Sequence, residues 1–330
     1  MNINNEIRIR SRSGTELDRV ELANLWSQKD SIYQKPDNYL TTMGSAQGFS
    51  PLRSGADPAA LFNGIPKRFT LPLSVLAPFF RPMKKQLLPP QLASGLRIEL
   101  VFEDYRTALF QKTGTVTGYN ITDIRMVLDT VDMTDDTQRT INMESASEGL
   151  EYAYERVYTA IAQVPSLQLQ LSSQVRKAVS QACFATAMSI PNADRTDVTA
   201  DSFLSAAFNY KSYQFRLGSL YFPHQRIGIT GGTDDTAEIY SLAMATYDKM
   251  RHPFAAPSLN VSTYTNSHCV LATSFEKDMS LNMSGLPINN SRVLELNLEY
   301  TEVNEPLDVV VFLTYCAVSR SYIDNTAVAS

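Results

Sequence analysis

The stretch Arg97-Ile98-Glu99-Leu100-Val101-Phe102 lies just beyond Pro89-Pro90 and Gly95, and its reading decides the fold class. A proline pair and a glycine do not sit inside a strand ladder, and they stop where apolar and charged residues begin to alternate. Ile98, Leu100 and Phe102 fall on one face and Arg97, Glu99 and Val101 on the other, the period of a half-buried strand. A similar phrase returns as Val293-Leu294-Glu295-Leu296-Asn297-Leu298-Glu299-Tyr300, with Leu294, Leu296, Leu298 and Tyr300 on one face. A Ser-Gly-Leu precedes each copy, at 94–96 and 284–286. The repetition points to two related β modules.

Length and composition agree with that picture. The chain has 330 residues, enough for two domains of about 150 residues. Hydrophobic residues make up 44% and charged residues 19%, as in an ordinary folded protein. The net charge of −5 and the absence of a basic stripe beyond the amino terminus argue against a protein built to grip nucleic acid. Three scattered cysteines do not make a disulfide framework, and a reducing compartment suits them better. No early apolar run reads as a signal peptide, and no stretch reaches the 18 or so apolar residues of a membrane span.

Along the chain, residues 1–42 form a separate amino-terminal arm in this reading. Ile7, Arg8, Ile9 and Arg10 alternate apolar and basic, and the only tryptophan, Trp26, follows. Residues 44–66 read as loops. The apolar dozen at 69–80 carries Pro72 and Pro78 and predicts a strand that breaks into a buried corner. Ile124, Met126 and Leu128 alternate with charged residues and predict a strand. Ser145 and Glu148 have capping-box spacing, and Leu150, Tyr154, Val157, Tyr158 and Ile161 then predict a helix over 147–162. Leu167, Leu169 and Leu171 predict a strand, and 175–190 another. Residues 191–202 are polar and open on Pro191, which makes them the expected linker between residues 43–190 and 203–330. In the second half, Tyr213 to Pro223 is β-prone, and Ile239, Leu242, Ala243, Thr246 and Met250 predict a helix over 236–250. The unbroken run Val309-Val310-Val311-Phe312-Leu313 predicts a strand covered on both faces.

Chemistry-bearing patterns are sparse. His224, His252 and His268 have no second ligand at metal spacing, and His268-Cys269 in a strand would point to opposite faces. Gly228 to Gly232 lacks the ending of a phosphate loop and reads as a turn. Asp135-Asp136 and Asp234-Asp235 read as solvated turns or helix caps. The sequence thus predicts no enzyme, catalytic residue, cofactor or metal. Tyrosines and phenylalanines near turns, among them Tyr221 and Phe222, suit contacts between subunits, although aromatics are ordinary core residues too.

Three passages carry a family resemblance. Phe69-Thr70-Leu71-Pro72-Leu73-Ser74 with Leu87-Leu88-Pro89 and Gly95-Leu96-Arg97-Ile98-Glu99-Leu100 is the first. Arg216-Leu217-Gly218-Ser219 with Tyr221-Phe222-Pro223-His224-Gln225 is the second. Ser284-Gly285-Leu286 leading to Leu294-Glu295-Leu296 and to the strand 307–316 is the third. Together they resemble the double jelly-roll major capsid proteins of the adenovirus-hexon, tectivirus, polinton-like and virophage lineage. The resemblance implies an all-β fold of two eight-stranded antiparallel sandwiches, 43–190 and 203–330, each with a flanking helix. It further implies a structural subunit of the virion. Three copies would make a pseudo-hexagonal capsomer, which would meet neighbouring capsomers and minor capsid or penton proteins in an icosahedral shell. Ile7, Arg8, Ile9, Arg10, Trp26, Tyr221 and Phe222 are the expected inter-subunit contacts. The arm is expected to face the interior, where it could meet an internal membrane, and no sequence-specific binding of nucleic acid is expected. A chain this short leaves little room for surface towers. The alternative from another class is a two-domain β-sandwich that binds carbohydrate, as lectins do.

Overall fold

The computed structural model describes residues 4–36, 39, 42–47, 66–83, 86–109, 115–207, 209–229, 236–250, 259–277, 284–322 and 327–329. Expectations for 48–65, for 230–235 and for His252 lie outside them.

The chain opens with strand β1 (Asn4–Arg10), turns through Gly14 and returns as β2 (Glu16–Glu21). Helix α1 (Ala23–Gln34) follows. Strand β3 (Arg97–Phe102) then pairs with the other side of β1, so β1 is the middle of a three-stranded antiparallel sheet. Ile7 faces Val20 on one side and Leu100 on the other, while Ile9 faces Asp18 and Ile98. The expected arm is therefore a central strand, because Ile7 and Ile9 need a dry face and this sheet supplies one. Helix α1 is enclosed almost entirely, with eleven of its twelve residues buried.

Between these elements, the apolar dozen forms short helical turns at Leu73–Leu76 and Pro78–Phe80 and no strand. Pro72 and Pro78 sit at the starts of the two turns, where a missing N–H costs nothing. The expected corner is there, with Phe79 buried, but the expected strand does not form.

Helix α2 (Asp135–Ser147) is capped by Thr134, whose Oγ1 accepts from the Thr137 N–H. Asp135 and Asp136 fill its first turn. Gly149, at φ +78°, ends it and delivers the chain into strand β4 (Leu150–Val164). The helix predicted over 147–162 is thus a strand. Tyr152, Tyr154, Val157, Thr159 and Val164 are aromatic or β-branched and buried, and all fifteen residues of β4 pair with one partner strand. No strand forms at 124–128, which stays irregular and exposed.

The remaining strands build two facing sheets. They are β5 (Gln170–Val175), β6 (Val179–Pro191), β7 (Tyr210–Leu217), β8 (Leu220–Gly228), β9 (Leu271–Ser274), β10 (Leu286–Ile288), β11 (Leu294–Tyr300), β12 (Leu307–Ser321) and β13 (Ala327–Ala329). Helices α3 (Thr236–Met250) and α4 (Val261–Ser267) intervene before β9. One sheet runs β5-β11-β7-β8. The other centres on β12, flanked by β4 and β6, with β9 and β10 on the far side of β6 and β13 beside β12. Ser189 of β6 meets the Tyr210 and Tyr300 hydroxyls of the four-stranded sheet at 2.7 and 3.0 Å.

Strand β11 shows the predicted alternation, with Leu294, Leu296, Leu298 and Tyr300 all buried. The 309–313 run of β12 is at most 2% exposed throughout. Helix α3 matches its predicted span and buries Ile239 and Ala243, with Leu242 half-buried. Strands β5 and β6 pair with β11 and β12, so the ladders run across the stretch 191–202 that was read as a linker. Gly285 passes so close to β6 that an added Cβ would lie 2.1 Å from the Ala182 carbonyl oxygen, which only glycine permits.

Candidate assembly surface

The basic alternation at the amino terminus resolves into two different faces. Ile7 and Ile9 are 1% and 0% exposed and belong to the chain's own core, so neither reaches a second subunit. Arg8 and Arg10 point the other way and find carboxylates. Arg8 holds both oxygens of Glu6 at 2.7 and 2.8 Å, and Arg10 reaches Glu99 at 3.1 Å. Arg19 bridges Glu6 and Glu21 on the adjoining strand. The hydrogen bond from Arg8 holds the Glu6 carboxyl below the usual range. This face is a mixed-charge ladder in which Arg8, Arg10 and Arg19 are already matched.

Trp26 is buried as well. The Arg81 guanidinium lies 4.7 Å from its ring and grips Asp30, so the tryptophan is a platform under a buried ion pair. That leaves the β7–β8 hairpin among the expected contacts. Its two-residue turn, Gly218-Ser219, holds Gly218 at φ +62°. Beyond it, Leu220 and Tyr221 are 40% and 41% exposed. Phe222 is half-buried, edge-on to Phe275 at 5.1 Å. Strand β8 ends its sheet, and among the described residues no strand pairs with its outer edge.

An apolar stretch that the alternation at 124–128 predicts as a half-buried strand faces solvent instead. Ile121, Ile124, Met126, Val127, Leu128 and Val131 are all exposed, Val127 at 85%. A signal was present: Met126-Val127-Leu128 is an unbroken apolar triplet between Arg125 and Asp129, so a strand with one wet face would leave Val127 in water.

Reactive groups are muted. Burial raises the Cys183 and Cys316 thiols and pushes Cys269 up to about 12, so all three stay neutral and poorly nucleophilic. His268 is buried and His224 is exposed on β8. Among the described residues no three His, Cys, Asp or Glu side chains converge as a metal site would require. A cavity between α1 and the β12 sheet, lined by Trp26, Lys29, Asp30, Thr186, Tyr247, Phe312 and Thr314, has room for about one water molecule. It is too small for a substrate.

No family model and no curated protein matches the sequence. Solved structures do match. The major capsid protein of Faustovirus superposes on 96% of this chain and 71% of its own length, with a TM-score of 0.58 at 10% identity. A PBCV-1 protein fitted into a reconstruction of the virophage Sputnik covers 99% of this chain and 83% of its own, with a TM-score of 0.55 at 12% identity. The PBCV-1 virus capsid gives the same coverage, 0.54 and 10%. The chain has the double jelly-roll capsid fold. Sequence identity this low carries the fold and leaves its use to be argued from the surface. Within that fold, the exposed 121–131 stretch and the open β8 edge are the surfaces a neighbouring subunit could cover.

Proposed function

We propose that this chain is a viral major capsid protein, a structural subunit that builds the icosahedral shell of a virion and works without enzymatic chemistry. The observation that carries the reading is that the capsid fold spans nearly the whole chain, 96–99% of it. Three copies would form a pseudo-hexagonal capsomer, since two similar sandwiches in each of three chains present six similar sides. Capsomers would then meet one another and minor capsid or penton proteins. An amino-terminal route to an internal membrane loses its basis, because Ile7 and Ile9 are buried and Arg8 and Arg10 are paired. The acidic net charge of −5 fits a shell subunit with no sequence-specific grip on nucleic acid.

Light scattering of the purified protein at micromolar concentration should give about three times 36.8 kDa, with trimer interfaces above about 2,000 Å² in total. Negative-stain images should show pseudo-hexagonal particles. A monomer at every concentration, stabilised by some glycan, would return the reading to a carbohydrate-binding module.

A further inference from the structure

Residues 120–132 are exposed throughout and join no ladder. No backbone hydrogen bond ties residues 120–132 to another described residue, and the charged contacts there are Arg125 and Arg68 with Asp123. Helix α2, which follows, is polar and buries only Ser145, while its Met143 is 73% exposed. The six apolar side chains from Ile121 to Val131 leave on the order of 600 Å² of apolar surface in water. That lies at the top of the roughly 300–600 Å² of the largest apolar patch on a typical monomer. It also approaches the roughly 800 Å² that each partner gives a standard interface.

We infer that this stretch is a strap that lies on a second copy of this chain, along the open outer edge of that copy's β8. The inference rests on the capsomer reading. Unpaired backbone groups in the strap and along the β8 edge can complete one another, as in strand addition. Leu220 and Tyr221 give the edge an apolar start. The strap carries Asp123, Asp129 and Asp132 against Arg125, whereas β8 carries no carboxylate and its Arg226 bonds Glu299 of β11 at 2.7 Å, so no acidic side chain of β8 opposes the contact. Those aspartates, with Asp135 and Asp136 behind them, disfavour an anionic membrane as the occupant. Strap and edge are different surfaces, so the contact is head-to-tail and can close a ring of three.

The test substitutes Ile124→Asp together with Val127→Asp. Both positions are exposed, so near-ultraviolet circular dichroism should match the parent. Sedimentation should show the parent as a trimer and the variant as a monomer over at least a tenfold wider range of concentration. A trimeric parent with an equally trimeric variant overturns the strap alone. A parent that is monomeric throughout overturns the capsomer reading and the strap with it, and flotation of that monomer with phosphatidylcholine vesicles would assign the stretch to a membrane. For the edge, chains carrying Val127→Cys and differently tagged chains carrying Gln225→Cys, both with Cys316→Ser, are co-expressed and treated with a bis-maleimide. A mixed-tag dimer on a denaturing gel is expected. Its absence from a sample that sediments as a trimer overturns the β8 assignment.

Discussion

Arg81 and Asp30 form a two-point ion pair, with Nη1 to Oδ1 at 3.0 Å and Nη2 to Oδ2 at 2.5 Å, and both side chains are under 10% exposed. Arg81 also stacks over Trp26, so the pair fastens α1 to the turn that follows Phe79. Removing one partner strands the other charge in the core. Arg81→Ala should therefore cost about 3–5 kcal/mol in a denaturant titration, and Arg81→Lys should recover only part of it because the fork geometry is lost. If Arg81→Ala unfolds within about 1 kcal/mol of the parent, the pair is not the clamp described.

A second buried acid governs the pH response. Burial pushes the Asp18 carboxyl up to about 7, against the pull of Arg156 at 3.5 Å and the donated Phe79 N–H at 3.1 Å. A raised acid pKa means that the folded chain holds this proton where the unfolded chain, at about 3.9, has released it. The contribution is therefore complete below about pH 4 and is lost as pH rises to about 7, a swing of roughly 4 kcal/mol at most. The stability of the parent minus that of Asp18→Asn, measured from pH 4 to 8, should fall and then level off above about pH 7. A flat difference would mean that Asp18 ionises normally.

The two facing sheets are joined by a three-member hydroxyl cluster. Ser189 bonds Tyr210 at 2.7 Å and Tyr300 at 3.0 Å, and all three residues are buried. Ser189→Ala leaves two phenolic hydroxyls competing for no acceptor. About 2–4 kcal/mol should be lost, more than the 1 or so expected for a single hydrogen bond. Adding Tyr210→Phe and Tyr300→Phe should restore part of that loss, and calorimetry of the single and triple variants would decide it.

Deleting residues 1–26 should abolish folding. The deletion removes the middle strand of a sheet, and with it Ile7, Ile9, Leu17 and Val20, all at most 1% exposed. Ile9→Ala alone should cost about 2–5 kcal/mol. A truncated chain that keeps its melting temperature would restore the separate arm that the sequence suggested.

Local periodicity by itself determined much of this fold. Alternation over 294–300, the doubly apolar run at 309–313 and the helical spacing of Ile239 and Ala243 each matched one backbone geometry, and the structure shows them so. The stretch 150–164 matched two. Leu150, Tyr154, Val157 and Ile161 fit a helix, while Tyr152, Tyr154 and Val164 fit a strand, and only the ladder offered by β12, a hundred and fifty residues away, selected the strand. Tertiary structure likewise decided the fate of the charges and of the open apolar stretch. Lys29, Asp30 and Arg81 look like surface residues until α1 is enclosed, while Ile124, Met126 and Leu128 look half-buried until no partner strand meets them. The physical reason is the same in each case. Backbone period is a property of neighbours in sequence, whereas burial depends on which distant surface arrives to exclude water.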